Sequence, residues 1–196
     1  MSAADPQDSG PLPAIEFVEV EGIRLRVATQ RGSDGGVPLL IFNGIGANFE
    51  LVFPFMRAMH GIEILVFDVP GIGRSELSWR PRRFSGLARL TAKLLDRLGY
   101  PEVDVAGVSW GGALAQQFAR QYPRRCRRLV LAATSPGAVM IPGRPKALAK
   151  MVTPQRYLSP TYMQRAAGTI YGGEVERDPR VIAEHSSRTI APRLLG

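Results

Sequence analysis

Val103-Asp104-Val105-Ala106-Gly107-Val108-Ser109-Trp110-Gly111-Gly112-Ala113-Leu114-Ala115-Gln116-Gln117-Phe118 is the stretch on which the fold turns. Val103 to Val108 is apolar enough for a strand buried on both faces. Gly111 to Tyr122 reads as a helix, stopped by Pro123. Between them stands G-x-S-x-G, Gly107 to Gly111, with a strand before it and a helix after it. That setting marks a sharp turn that lifts a serine hydroxyl above a sheet. The turn crowds the positions two before and two after the serine, so Gly107 and Gly111 are expected to be required as glycine. A bare G-x-S-x-G also occurs in ordinary glycine-rich turns; the flanking strand and helix favour the nucleophile elbow.

On either side of this stretch the same rhythm repeats. Ile15 to Val20 and Ile23 to Val27 alternate around Glu21-Gly22 and predict a hairpin. Val37 to Phe42, Ile62 to Phe67 and Leu129 to Ala133 are further apolar runs, read as buried strands. Helices are expected over Phe49 to Met59 and Phe84 to Leu98, the latter with Leu87, Leu90, Leu94 and Leu98 on one stripe. Strands alternating with helices imply an α/β fold, a mostly parallel sheet with helices on both faces. From about Ser135 the pattern changes to short apolar patches (Val139 to Ile141, Leu148 to Val152, Tyr157-Leu158, Tyr162-Met163, Ile170-Tyr171). The expected organisation is a disordered tail over 1–13, a core over 14–134 and a helical cap over 135–196.

Two other loops carry chemistry. Asn43-Gly44-Ile45-Gly46 follows the Val37 to Phe42 strand. Such a loop supplies one backbone N–H to an oxyanion hole, and the residue after the serine supplies the other. The expected donors are Ile45 and Trp110, with Gly44 and Gly46 keeping the loop thin. A dinucleotide fingerprint is excluded there, because the run continues Ala47-Asn48-Phe49 without the third glycine. Asp68, in Asp68-Val69-Pro70-Gly71-Ile72-Gly73-Arg74-Ser75, is expected to tie up backbone N–H groups of its own turn rather than to act in catalysis.

Composition narrows the classes. The 196 residues are 45% hydrophobic and 21% charged, which fits one globular domain rather than a disordered or fibrous chain. No run approaches the ~18 apolar residues of a membrane span, and the first residues lack the basic and apolar regions of a secretory signal. The net charge of +8 is uneven: residues 1–50 hold 3 basic and 7 acidic groups, residues 51–150 hold 16 and 6. The clusters Arg80, Arg82, Arg83 and Arg124, Arg125, Arg127, Arg128 lack interleaved aromatics. They read as solvated faces and helix ends rather than a nucleic-acid surface. One cysteine, Cys126, excludes an internal disulfide and suggests a reducing compartment, hence the cytoplasm. One cysteine and two distant histidines build no metal site, so no metal and no cofactor is expected.

These residues carry a resemblance. The chain resembles the α/β-hydrolases, and more closely the intracellular depolymerases of medium-chain-length poly(3-hydroxyalkanoates). The match runs through Leu39 to Asn48, Glu50 to Phe55, Phe67 to Gly71, Gly107 to Phe118, Leu129 to Thr134 and Ile170 to Gly173. It implies a serine ester hydrolase acting through an acyl-serine, with Ser109 as nucleophile, on polyester at storage granules in the cytoplasm. The family order is Ser, then Asp, then His, the last two from loops after later strands. Neither is present here: His60 ends a helix, His185 lies in the cap, and no carboxylate follows the Leu129 to Ala133 strand. The resemblance therefore implies a C-terminally truncated chain, crippled as it stands, with a sheet edge open to a partner or a second copy. The alternatives are a small-molecule carboxylesterase and a non-catalytic granule-binding remnant.

Overall fold

The computed structural model describes residues 12–59, 61–79, 81–135, 149–150, 153 and 160–171. The chain divides into two compact units, Met1–Val139 and Met140–Gly196.

The first unit is built on a six-stranded sheet. Its strands are β1 (Ala14–Val20), β2 (Ile23–Gln30), β3 (Leu39–Phe42), β4 (Ile64–Phe67), β5 (Val103–Val108) and β6 (Cys126–Ala132). Their spatial order is β1-β2-β4-β3-β5-β6. The β1–β2 and β2–β4 pairs are antiparallel; β4–β3, β3–β5 and β5–β6 are parallel. Helices α1 (Phe53–Ala58), α2 (Phe84–Leu98) and α3 (Trp110–Gln121) cover the sheet.

The period of two along each strand sorts the core into two layers. Leu40, Phe42, Leu65 and Phe67 face one way, onto α2 residues Leu87, Leu90 and Leu94 and onto Leu114 and Phe118 of α3. Their neighbours Ile41, Ile64 and Val66 face the other way, onto Phe49, Val52 and Met56. A strand such as β4, buried along its whole length, can only be apolar throughout. The α2 stripe ends where Gly99 takes φ 79° at the C-terminal cap.

Three expectations change here. The helix expected over Phe49 to Met59 is a 3₁₀ turn, Phe49–Val52, leading into α1, because Pro54 fits only near a helix start. The strand expected over Leu129 to Ala133 as buried on both faces is β6, at the sheet edge. It pairs with β5 alone among the described residues, and Leu129, Val130 and Leu131 are 39–59% exposed. Its apolar run signalled a strand correctly, but no described residue supplies cover on its far side. The arginine clusters, expected as solvated faces, are partly bound into the fold. Arg127 forks onto both carboxylate oxygens of Asp104 (2.9 and 2.7 Å), and Arg125 binds Asp96 (2.7 Å).

The hairpin turn places both Glu21 (φ 52°) and Gly22 (φ 72°) in the left-handed region, as a two-residue turn requires. Glu21 is held there by three cations: Arg82 (2.9 Å), Lys93 (3.0 Å) and Arg89 (3.4 Å). The hydrogen bonds from Lys93 and then Arg82 hold its carboxyl below the usual range. A depressed carboxylate contributes stability above its unfolded pKa and loses it as pH falls through the folded value. Glu21→Gln is therefore expected to cost about 1 kcal/mol at pH 7. In urea unfolding the gap between the two proteins should narrow as pH falls and close once Glu21 is protonated in the folded state; a gap independent of pH would mean the charge is not the cause.

Of the second unit, the described part is chiefly α4 (Pro160–Tyr171). It carries the expected Tyr162-Met163 and Ile170-Tyr171 patches on one helix. Lys150 Nζ lies 2.9 Å from Thr169 Oγ1. Residues 1–11, the patches Val139 to Ile141 and Tyr157-Leu158, and Leu148, Met151 and Val152 of the patch Leu148 to Val152 lie outside the described residues.

Candidate active site

Ser109 sits between β5 and α3 at φ 53°, ψ −117°. That conformation costs a residue other than glycine on the order of 1–3 kcal/mol, so the surroundings must enforce it. The Ser109 N–H donates to the Ala132 carbonyl of β6 (2.9 Å), and the Ser109 carbonyl accepts the Gly112 N–H (2.9 Å). The remaining restraint is steric. A Cβ on Gly111 would lie 2.1 Å from the Phe42 carbonyl oxygen and 2.4 Å from that of Asn43. A Cβ on Gly107 would lie 2.6 Å from the Gly111 carbonyl oxygen. The first turn of α3 is thus pressed onto the end of β3 and the head of the loop after it. Gly112 is equally constrained, since its Cβ would meet Thr134 Cβ at 2.5 Å. The elbow pattern says nothing of that third glycine, because its neighbour comes from beyond β6.

The loop after β3 is closed by its own polar groups. Asn43 Nδ2 donates to the Asn48 carbonyl, and Asn43 Oδ1 accepts the Gly44 N–H, both at 2.8 Å. Gly46 adopts φ 67°. A Cβ on Gly44 would stand 4.0 Å from the carbonyl oxygen of Val108, the residue before Ser109. Loop and elbow are neighbours. Among the described residues, neither the Ile45 nor the Trp110 N–H donates to a backbone acceptor. Ser109 occupies the N-cap position of α3, yet its side chain makes no capping hydrogen bond. A free hydroxyl at the positive end of a helix, beside two uncommitted N–H donors, suits stabilisation of developing negative charge.

Asp68 serves its own turn, as expected, through the Arg74 N–H, and it also reaches beyond it. Its Oδ1 accepts the Phe49 N–H (2.9 Å), bridging from β4 to the start of the 3₁₀ turn. The Asp68 carbonyl accepts the Ser75 hydroxyl (2.6 Å), and Ser75 Oγ in turn accepts the Arg26 N–H (2.8 Å). The more distant partners come from β2 and the 3₁₀ turn, elements whose meeting no local spacing could signal. Arg26 lies over the Phe49 ring at 4.3 Å and binds Glu50 at 2.5 Å, with Asp68 Oδ2 at 3.7 Å. Two carboxylates share one guanidinium, and Glu50 holds the shorter contact. Burial therefore dominates and pushes the Asp68 carboxyl up to about 7, with Glu50 adding to the rise. The Phe49 and Arg74 N–H groups and Arg26 pull the other way.

A carboxyl raised in the folded state favours folding when protonated. Its contribution is therefore lost as pH rises from about 4 towards 7. Asp68→Asn removes that dependence. Relative to the parent, the variant is expected to gain on the order of 3 kcal/mol between pH 4 and pH 7.5 in urea unfolding. A constant difference across that range would mean that Asp68 ionises normally beside Arg26.

The remaining candidates stand apart. His60 and His185 lie outside the described residues. Cys126 is half-buried in β6; burial pushes its thiol up. Among the described residues no group of three or more His, Cys, Asp or Glu side chains is arranged to hold a metal ion, and no helix is long and apolar enough to cross a membrane. A cavity of about 450 Å³ opens beside the loop, bounded by Ile45, Gly46 and Trp110 on the elbow side.

Residues 37–172 match the family model of the alpha/beta hydrolase fold, which takes in both loops and the elbow. The chain belongs to the alpha/beta hydrolase fold family. A poly(3-hydroxyalkanoate) depolymerase of Ectopseudomonas oleovorans is 55% identical over 180 residues, covering 91% of this chain and 64% of that protein. A 2-hydroxy-6-oxononadienedioate/2-hydroxy-6-oxononatrienedioate hydrolase of Burkholderia vietnamiensis is 35% identical over 119 residues, covering 57% of this chain and 41% of that protein. Among solved structures, an alpha/beta hydrolase of Novosphingobium aromaticivorans superposes with a TM-score of 0.76 at 18% identity, covering 92% of this chain and 65% of that one. The chain spans less than two thirds of the length of these relatives. Within the alpha/beta hydrolase fold, the strand–serine–helix turn and the thin loop after β3 stand at the same end of the parallel strands, where open α/β sheets bind ligands.

Proposed function

We propose that Ser109 is the nucleophile of a carboxylic ester hydrolase acting on poly(3-hydroxyalkanoate). The observation behind the reaction is the strained, uncapped Ser109 beside the Asn43 to Gly46 loop. The 55% identity to a depolymerase over nine tenths of the chain supports the substrate. In this reading Ser109 Oγ attacks the ester carbonyl and its proton passes to a base. The oxyanion is held by the N–H groups of Ile45 and Trp110. The alcohol departs with that proton, leaving an acyl-serine, and water then adds to release the hydroxy acid and restore the serine.

The base is not among the described residues. Without a positioned acid and base, an oxyanion hole and binding alone leave roughly 10³–10⁴ over the rate in water. Location in the cytoplasm at storage granules, and self-association through the β6 edge, belong to the same proposal.

The test uses the protein isolated from its own cells. A fluorophosphonate should add once, at Ser109, by peptide mass. Amorphous poly(3-hydroxyalkanoate) should release hydroxy acid, and sedimentation should follow its assembly. Turnover of soluble esters without polymer release would favour a carboxylesterase. Granule binding without labelling or turnover would sink the enzymatic reading.

A further inference from the structure

The cavity beside the elbow has a second wall. The chain after β4 folds back tightly: the Ile72 N–H donates to the Val69 carbonyl (2.9 Å) and the Ser75 N–H to that of Ile72 (3.0 Å). Gly71, at φ 84°, leaves room for Leu77, whose Cδ1 would stand 2.8 Å from a Cβ there. This double turn presents Val69, Pro70, Ile72, Leu77 and Trp79 to the cavity, opposite Ile45 and Trp110. Leu77 and Trp79 are 76% and 81% exposed. Two large apolar side chains so exposed, at the rim of an apolar cleft, mark a surface that a ligand covers.

The opposite wall is tied to the chemistry. Trp110 offers its backbone N–H at the start of α3, its ring rests against Phe84 at 5.2 Å, and the residue lines the cavity. Ile45 likewise combines an uncommitted N–H with an exposed side chain on the cavity wall. A carbonyl bound by those two N–H groups would have its nearest carbon substituent beside those two side chains.

We propose that this cavity binds the unbranched aliphatic chain of the ester substrate, and that Ile72, Leu77 and Trp79 set the preferred chain length. The placement rests on the reading of Ile45 and Trp110 as the carbonyl-binding pair; the binding itself does not. The aliphatic chain is thereby assigned to the first unit of the chain, rather than to the apolar patches expected of the cap.

The sequence has two tryptophans, and both line this cavity. Their fluorescence therefore reports it with little background. The probe is 8-bromo-1-octanol, whose bromine quenches indole on contact and which is no ester. Quenching should saturate and be reversed by 1-octanol. Each buried methylene is worth about fourfold in affinity, so 1-butanol should compete roughly 10²-fold more weakly than 1-octanol. Leu77→Glu, at an exposed side chain, should weaken binding at least tenfold with unchanged urea unfolding, and Leu77→Met should restore it. Ser109→Ala should bind like the parent, so a failed nucleophile assignment leaves this result untouched. Absence of saturable quenching, equal competition by butanol and octanol, or indifference to Leu77→Glu would each overturn the proposal.

Discussion

In the protein isolated from its own cells, with a base supplied to Ser109, Ser109→Ala is expected to lower ester turnover by roughly 10⁴–10⁶-fold while leaving stability within about 0.5 kcal/mol of the parent. The two halves of that expectation have separate causes. In the proposed mechanism turnover falls because the acyl-serine cannot form; the proposed donors at Ile45 and Trp110 remain and account for whatever rate persists. Stability holds because the serine side chain makes no capping hydrogen bond, and alanine meets the same backbone strain. Glycine does not. Ser109→Gly should be equally inactive yet more stable, by about 1 kcal/mol, since φ 53°, ψ −117° is open to glycine at little cost. Steady-state kinetics on the native protein with 4-nitrophenyl octanoate, paired with urea unfolding, checks all three. Retained turnover in either variant would remove Ser109 from the chemistry. A destabilised Ser109→Gly would mean that the backbone strain is not real.

The second large effect is structural. Gly111→Ala should cost more than about 4 kcal/mol and give little folded protein. The added Cβ would fall 2.1 Å from the Phe42 carbonyl oxygen. Neither partner is a side chain that can rotate away: one is β3, the other the first turn of α3. Relief would need the helix to retreat from the sheet, which opens the core around Phe42, Phe67 and Phe118, whose rings stand 6.1 Å apart pairwise through Phe42. Two other glycines calibrate the result. Gly99, at φ 79° with open space around it, should lose about 1 kcal/mol on replacement by alanine, from backbone strain alone. Gly36 has neither a neighbour within 4 Å nor a left-handed φ, so its replacement should be neutral. If Gly111→Ala matched Gly99→Ala in unfolding midpoint, the close packing of elbow on loop would be wrong.

The parts of the fold legible in the sequence were those written in local periodicity. The leucine stripe of α2 marked its ends at Phe84 and Leu98, and the apolar run of β5 marked Val103 to Val108, both as observed. Ser109, Gly107 and Gly111 stood out because strand, turn and helix are adjacent in the chain. What escaped was made by segments far apart in sequence. Asp68 reaches Phe49 and lies near Arg26 as well as binding within its own turn, and Gly112 answers to Thr134. The open edge at β6 was expected from the family resemblance and not from its own residues, since an apolar run reports what a strand favours, not whether anything covers it. The cavity wall from Val69 to Trp79 reads in sequence only as a glycine-rich loop. Its apolar side chains gain meaning when the double turn brings them opposite Trp110.

The bond from the Ser109 N–H to the Ala132 carbonyl has a consequence for how the molecule is made. During synthesis, β5 and the serine leave the ribosome before α3 and β6 do. Until Ala132 emerges and docks, the serine lacks the one hydrogen bond its N–H makes, and only the Gly112 bond and the packing of α3 on the end of β3 hold its left-handed conformation. The elbow is then a late event, set when the last strand locks beside β5 rather than when the serine is made. Substitutions there should speed unfolding more than they slow folding. Nascent chains stalled short of β6 would carry a serine that is exposed but not yet shaped for attack.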